Sequence, residues 1–126
     1  MDIVMKGIQK NIAVIESGEP LITDLQSALD LAVSVNYETG AHNLVLPETC
    51  FVSDFFVLST RLAGEVLQKY INYGFKLAVW GDFSKYTSKP LQDFIYESNK
   101  GKDFFFVATE AEAIERLEPV SIPLPA

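Results

Sequence analysis

Six residues have the types and positions to do chemistry: Ser53, Asp54, Arg61, Asp82, Ser84 and Thr109. They stand in or close after segments that follow short apolar runs reading as strands. In an open parallel sheet, ligands collect beyond the carboxyl ends of the strands. Those ends are residues 47–54, 81–84 and 108–109. Hydroxyls, carboxylates and a guanidinium gathered there can hold a polar ligand, and Asp54, Asp82 and Arg61 carry the groups that acid–base work needs. The plainer role is structural, with Ser53 or Asp54 and Thr109 as helix caps and Asp82 as a turn residue.

Other chemistries find little support. Cys50 is the single cysteine and His42 the single histidine, so neither an internal disulfide nor a thiolate zinc cage can form. A full strand separates the two, so a Cys–His dyad would need the chain to fold back. Cys50 reads as a small buried or half-buried residue, and His42 as the residue leading into a strand. No tight cluster of Asp and Glu suggests a metal. There is no glycine-rich phosphate loop, so no nucleotide cofactor is expected.

The chain has 126 residues, which suits one domain, and its net charge is −7. An acidic protein with no cluster of Lys and Arg repels phosphate backbones, so nucleic acid is not an expected partner. No apolar run approaches the roughly 20 residues needed to cross a bilayer, so membrane insertion is not expected either. The first ten residues, MDIVMKGIQK, have no long apolar core after a basic start. No signal peptide is expected, and a cytoplasmic location follows.

The positioning elements can be read from periodicity. Residues 1–8 and 12–15 read as a half-buried hairpin, with Ile3, Met5, Ile12 and Val14 inward. Thr23 and Gln26 fit a capping box for a first helix that ends near Tyr37, with Leu25, Ala28, Leu29, Ala32 and Val33 making its apolar face and Gly40 turning the chain. Asn43–Pro47 and residues 76–81 are buried central strands. Between them, Ser53 or Asp54 is expected to cap a second helix, on which Leu58, Leu62, Val66 and Tyr70 step by four. Gly64 inside that helix suggests a close approach to the sheet. Residues 82–89 read as a loop. Ser88 and Pro90 open a third helix with Leu91, Phe94 and Ile95 inward, and Gly101 stops it. Residues 103–107 form another buried strand, and Thr109 caps a last helix with Ile114 and Leu117 inward.

The order ββαβαβαβα predicts an α/β fold: one mixed, mostly parallel sheet, an N-terminal hairpin and four helices. Residues 1–118 form one domain. Residues 119–126 form a Pro-rich tail, in which Val120, Ile122 and Leu124 alternate; it is expected to lie along the domain or against a second copy. Tyr70, Tyr73, Phe75, Trp80, Phe83 and Tyr86 cluster around the fourth strand and read as core. Tyr86 and Tyr96, if exposed, are candidates for an interaction surface.

Two resemblances follow from local runs. Gly81-Asp82-Phe83-Ser84, Tyr86-Thr87-Ser88-Lys89 and Asp93-Phe94-Ile95-Tyr96-Glu97-Ser98-Asn99 are similar to an uncharacterised bacterial domain-of-unknown-function family, number 4180, from about Leu29 to Leu117. Leu44-Val45-Leu46-Pro47, Phe51-Val52-Ser53-Asp54 and the closing Phe105-Phe106-Val107-Ala108-Thr109 resemble STAS-like domains, those of sulfate transporters and anti-sigma factor antagonists. The STAS-like resemblance implies a serine switch, which maps to Ser53. Here Asp54 stands where that family usually has a further serine, and its carboxylate repels an incoming phosphate. The resemblance implies a non-catalytic regulatory module that binds a protein partner or itself through the helix after Ser53 and loop 82–89. The alternative is a small-molecule-binding domain or small enzyme using the crevice at the strand ends.

Overall fold

The computed structural model describes residues 1–118. The predicted tail, with its alternating Val120, Ile122 and Leu124, lies outside the described residues. Five strands, β1 (Asp2–Lys6), β2 (Ile12–Glu16), β3 (Asn43–Pro47), β4 (Lys76–Trp80) and β5 (Phe104–Val107), form one sheet in the order β1-β2-β3-β4-β5. The β1–β2 pair is antiparallel, and β2–β3, β3–β4 and β4–β5 are parallel. The helices are α1 (Leu25–Thr39), α2 (Leu62–Asn72), α3 (Lys89–Lys100) and α4 (Glu110–Leu117). The predicted mixed, mostly parallel α/β architecture is what forms.

The sheet order explains the layers. Each parallel strand is laid beside the one before it, and right-handed crossovers then put every connecting helix on the same face. Ala13, Ile15, Leu44, Leu46, Leu77, Val79, Phe104 and Phe106 accordingly share one core with the inner sides of α1, α2 and α3. The alternate residues Ile12, Val14, Val45, Ala78, Phe105 and Val107 face the other way, onto Ala113 and Leu117 of α4. Tyr70 of α2 ties the helical layer together: fully buried, its hydroxyl donates to the Ala28 carbonyl of α1 at 2.7 Å.

Several local expectations are corrected. In the hairpin, only β1 alternates; Ile12, Ala13, Val14 and Ile15 are all buried, because β2 has a strand on each side and helices over it. α1 is capped by Asp24 and not Thr23. The Asp24 carboxylate accepts from Ser27 N at 2.7 Å, and Ser27 Oγ accepts from Asp24 N at 3.0 Å, while Gln26 turns outward to donate to Asp30.

The second helix begins at Leu62, and neither Ser53 nor Asp54 caps it. Residues 48–60 instead make three 3₁₀ turns, Glu48–Cys50, Ser53–Phe56 and Leu58–Thr60. The Thr60 hydroxyl donates to the carbonyls of Asp54 and Val57 at 2.7 and 2.8 Å. It thereby occupies acceptors that a continuing α-helix would use. Arg61 then turns the chain at φ 69°. The Leu58-to-Leu62 step of four is thus a coincidence of spacing across a break.

Gly64 is not a point of close approach to the sheet. It is exposed, and a Cβ there would meet nothing within 4 Å. Gly64→Ala should therefore stabilise the fold by about 0.5–1 kcal/mol, through helix propensity and a stiffer unfolded chain. An upward shift of the urea midpoint checks this; a downward shift would mean an unrecognised packing role.

Candidate functional site

The carboxyl ends of β3 and β4 meet at Glu48 and Gly81. Glu48 follows Pro47 directly, so it leaves the sheet at the mouth of the crevice, and it is the buried charged residue there, only 9% exposed. Its Oε1 accepts from Lys85 Nζ at 2.9 Å and its Oε2 from the Tyr86 hydroxyl at 3.0 Å. A Cβ on Gly81 would sit 2.7 Å from Glu48 Cγ, so the glycine makes room for the carboxylate arm. The Glu48 side chain thus occupies the space beside Gly81.

Glu48 also pins the loop after β4 against the 3₁₀ run. The Tyr86 ring stacks on Phe56 at 4.9 Å between centroids, and Phe56 lies against the buried pair Phe51 and Phe55. Between the two segments runs a groove of about 430 Å³, walled by Phe56, Val57, Leu58 and Ser59 on one side and by residues 85–88, Pro90 and Leu91 on the other. Val57 stands 48% exposed at its rim.

Burial, followed by the hydrogen bond and the negative charge of Glu48, pushes the Tyr86 phenol up to about 12. Its folded value lies above the ordinary unfolded value near 10. The stability it contributes is therefore complete below about pH 10 and is lost as pH rises toward 12. Urea midpoints measured from pH 8 to 12 should fall above pH 10, and less steeply in Tyr86→Phe. Equal slopes would show that Tyr86 ionises as freely in the folded chain as in the unfolded one.

The six residues singled out from the sequence lie in three places. Ser53, Asp54 and Arg61 are exposed on the 3₁₀ run, with Arg61 as its last turn residue. Asp82 and Ser84 come together: Ser84 N and Oγ donate to Asp82 Oδ1 at 3.0 and 2.5 Å, and these bonds hold the Asp82 carboxyl below its usual range. Thr109 accepts from Glu112 N at 3.2 Å and caps α4. Among the described residues, no hydrogen bond or ion pair joins one of these three groups to another. Tyr86 is half-buried in the groove, whereas Tyr96 is 63% exposed on α3 with Lys100 Nζ 4.3 Å from its ring centroid. Cys50 is buried, which raises its thiol pKa; His42 precedes β3 and Cys50 follows it. About 16 Å of strand therefore separates the two. Among the described residues no group of His, Cys, Asp or Glu could hold a metal ion, and no helix is long and apolar enough to cross a membrane.

A second concavity lies beyond β4 and β5, where α3 precedes β5 on one face of the sheet and α4 follows it on the other. It measures about 750 Å³ and is lined by Trp80, Asp82, Phe83, Asn99, Glu112 and Arg116 among others. Asn99 is engaged in holding the outermost strand, donating to Phe106 O at 3.0 Å and accepting from Phe106 N at 2.8 Å. Arg116 lies over the Phe105 ring at 4.5 Å and donates to the Asn99 carbonyl. Trp80 Nε1 is buried and has no hydrogen-bond partner among the described residues.

Sequence reasoning passed over Glu48, Lys85, Asn99 and Arg116. One signal for Glu48 was available, since a carboxylate directly after a strand-ending proline must leave the sheet at its carboxyl edge. Nothing in the spacing marks Lys85 as its partner, 37 residues away.

No curated protein matches the chain, and no solved structure does. A family model does match, over residues 8–117, and by it the chain belongs to the family described as domain of unknown function (DUF4180).

Proposed function

We propose that the chain is a non-catalytic regulatory module of STAS-like type, acting in the bacterial cytoplasm by binding a protein partner or a second copy of itself. The observation carrying this reading is the groove between the 3₁₀ run and the loop after β4, floored by the Phe56–Tyr86 stack. Aromatic anchors beside exposed apolar residues suit protein recognition better than catalysis. Glu48, the buried carboxylate nearby, accepts from Lys85 and Tyr86, both of which line the groove, and so serves to hold its wall. Ser53 and Asp54 lie one short turn ahead of Val57. Phosphorylation of Ser53 would add charge beside a carboxylate on the same segment and so alter docking.

Selection of displayed peptides against the chain tests the reading. Selected peptides should bind Val57→Asp at least about tenfold more weakly, as expected when a charge enters an apolar anchor site. Failure to select any binder that Val57→Asp weakens would overturn docking at this groove.

A second reading is small-molecule binding in the cleft beyond β4 and β5. Trp80, whose buried Nε1 has no hydrogen-bond partner among the described residues, is one of the residues lining that cleft and favours it. Quenching or shifting of Trp80 fluorescence by a small molecule, lost in Arg116→Ala, would favour this reading over the first.

A further inference from the structure

The whole net charge of the chain resides in one stretch. Residues 11–60 contain seven Asp and Glu and no Lys or Arg, while the remaining residues contain ten acidic and ten basic side chains and sum to zero. Of the seven, Glu48 is paired with Lys85; among the described residues the other six form no ion pair. α1 is the helix of this stretch, and its outer side is not uniformly polar. Leu29, Val33 and Tyr37 recur at intervals of four, and Val33 and Tyr37 are 54% and 90% exposed. Tyr73, just past the end of α2 and 59% exposed, lines a groove of about 550 Å³ together with Leu29, Asp30 and Val33. Glu38 stands in the last turn of α1, which has no basic residue. A carboxylate there opposes the negative end of the helix dipole. An exposed apolar stripe and an acid at the unfavourable helix end both work against folding alone, as residues retained for contact with another molecule do.

We propose that this groove docks a basic amphipathic helix of a partner protein, with its apolar side on Leu29, Val33 and Tyr73 and its Lys or Arg residues reaching Asp30 and Glu38. Charge selects this occupant. A second copy of the chain would bring the same acidic face to the contact and set like charges opposite one another. A helix laid in a groove with anchors spaced by four is an established geometry of recognition. The inference rests on reading the chain as an interaction module, but it uses a different face from the Phe56–Tyr86 groove.

The test uses the full chain and three synthetic peptides: an amphipathic Leu/Lys helix, a scrambled peptide of the same composition and an amphipathic Leu/Glu helix, each titrated by fluorescence anisotropy. The Leu/Lys helix should bind saturably, and the other two at least about tenfold more weakly. Val33→Gln and Asp30→Lys should each weaken its binding by about tenfold as well. Glu38→Lys should weaken binding while raising the urea midpoint, a pair of opposite changes that a merely structural role cannot produce. Val57→Asp, in the other groove, should leave this binding unchanged. Equal binding by the scrambled peptide, or indifference to Val33→Gln, would overturn the proposal and leave the Phe56–Tyr86 groove reading to its own test.

Discussion

Phe55→Ala should lower the stability of the fold by about 3–5 kcal/mol, the usual cost of emptying a buried aromatic site. Phe55 is fully buried, with its ring 4.6 Å from that of Phe51 and 5.1 Å from that of Phe56. Because net domain stability is roughly 5–15 kcal/mol, the loss is a large share of the total. The variant reports on whether the 3₁₀ run is part of the core. If it is, its outer side, Val57 with Ser59, is a fixed wall against which a partner can be positioned. Equilibrium urea unfolding measures the change. A loss under about 1 kcal/mol would mean that this run is loosely attached and that no preformed groove exists.

Gly81→Ala should cost about 1–3 kcal/mol by overpacking. The new methyl group would lie 2.7 Å from Glu48 Cγ and 3.1 Å from its Cβ and Cδ. Glu48 cannot move aside cheaply, because Lys85 and Tyr86 hold both of its oxygens. A double-mutant cycle isolates that contact. In the Glu48→Ala background the nearest atom is gone, and Gly81→Ala should be cheaper than in the parent by about 1 kcal/mol or more. Strict additivity would show that the glycine is required for some reason other than the carboxylate arm. The cycle also tests whether Glu48 acts as a structural arm packed against Gly81.

Much of this fold was legible because its signals are strong and local. Asn43–Pro47 and Lys76–Trp80 are continuous apolar runs bounded by breakers, and such runs belong in the interior of a parallel sheet. Ser88 with Pro90, and Thr109 with Glu112, mark helix starts that form as expected. The misreadings arose where a tertiary demand outweighed a local pattern. Leu58 continues the step of four into α2, but burial of Phe51, Phe55 and Phe56 and the back-bonding of Thr60 break the helix before Arg61. β2 looks half-buried from its own alternation, and it takes the arrival of β3 beside it to bury both sides. Gly64 illustrates the converse, a residue with a plausible packing role whose surroundings are empty.

The site was less legible than the fold for the same physical reason. Ser53 and Asp82 announce themselves by type and position, but the Glu48–Lys85–Tyr86 link joins residues 37 and 38 apart. Only the closing of the β3–α2–β4 crossover brings them together. The acidic character of residues 11–60 was present in the residue types throughout. Its meaning depends on α1 turning Val33 and Tyr37 outward among those acids, whereas the three-and-four spacing puts Val33 on the apolar face; in the fold Ala28, Leu31, Ala32 and Val35 fill that face.

Backbone amide shift mapping of the full chain with the tightest displayed peptide tests partner docking most directly. The expected outcome is a contiguous set of perturbed amides over residues 56–59 and 85–91, with Val57→Asp abolishing it. Perturbations centred instead on Trp80, Asn99 and Arg116, with residues 56–59 unmoved, would contradict docking at the Phe56–Tyr86 groove.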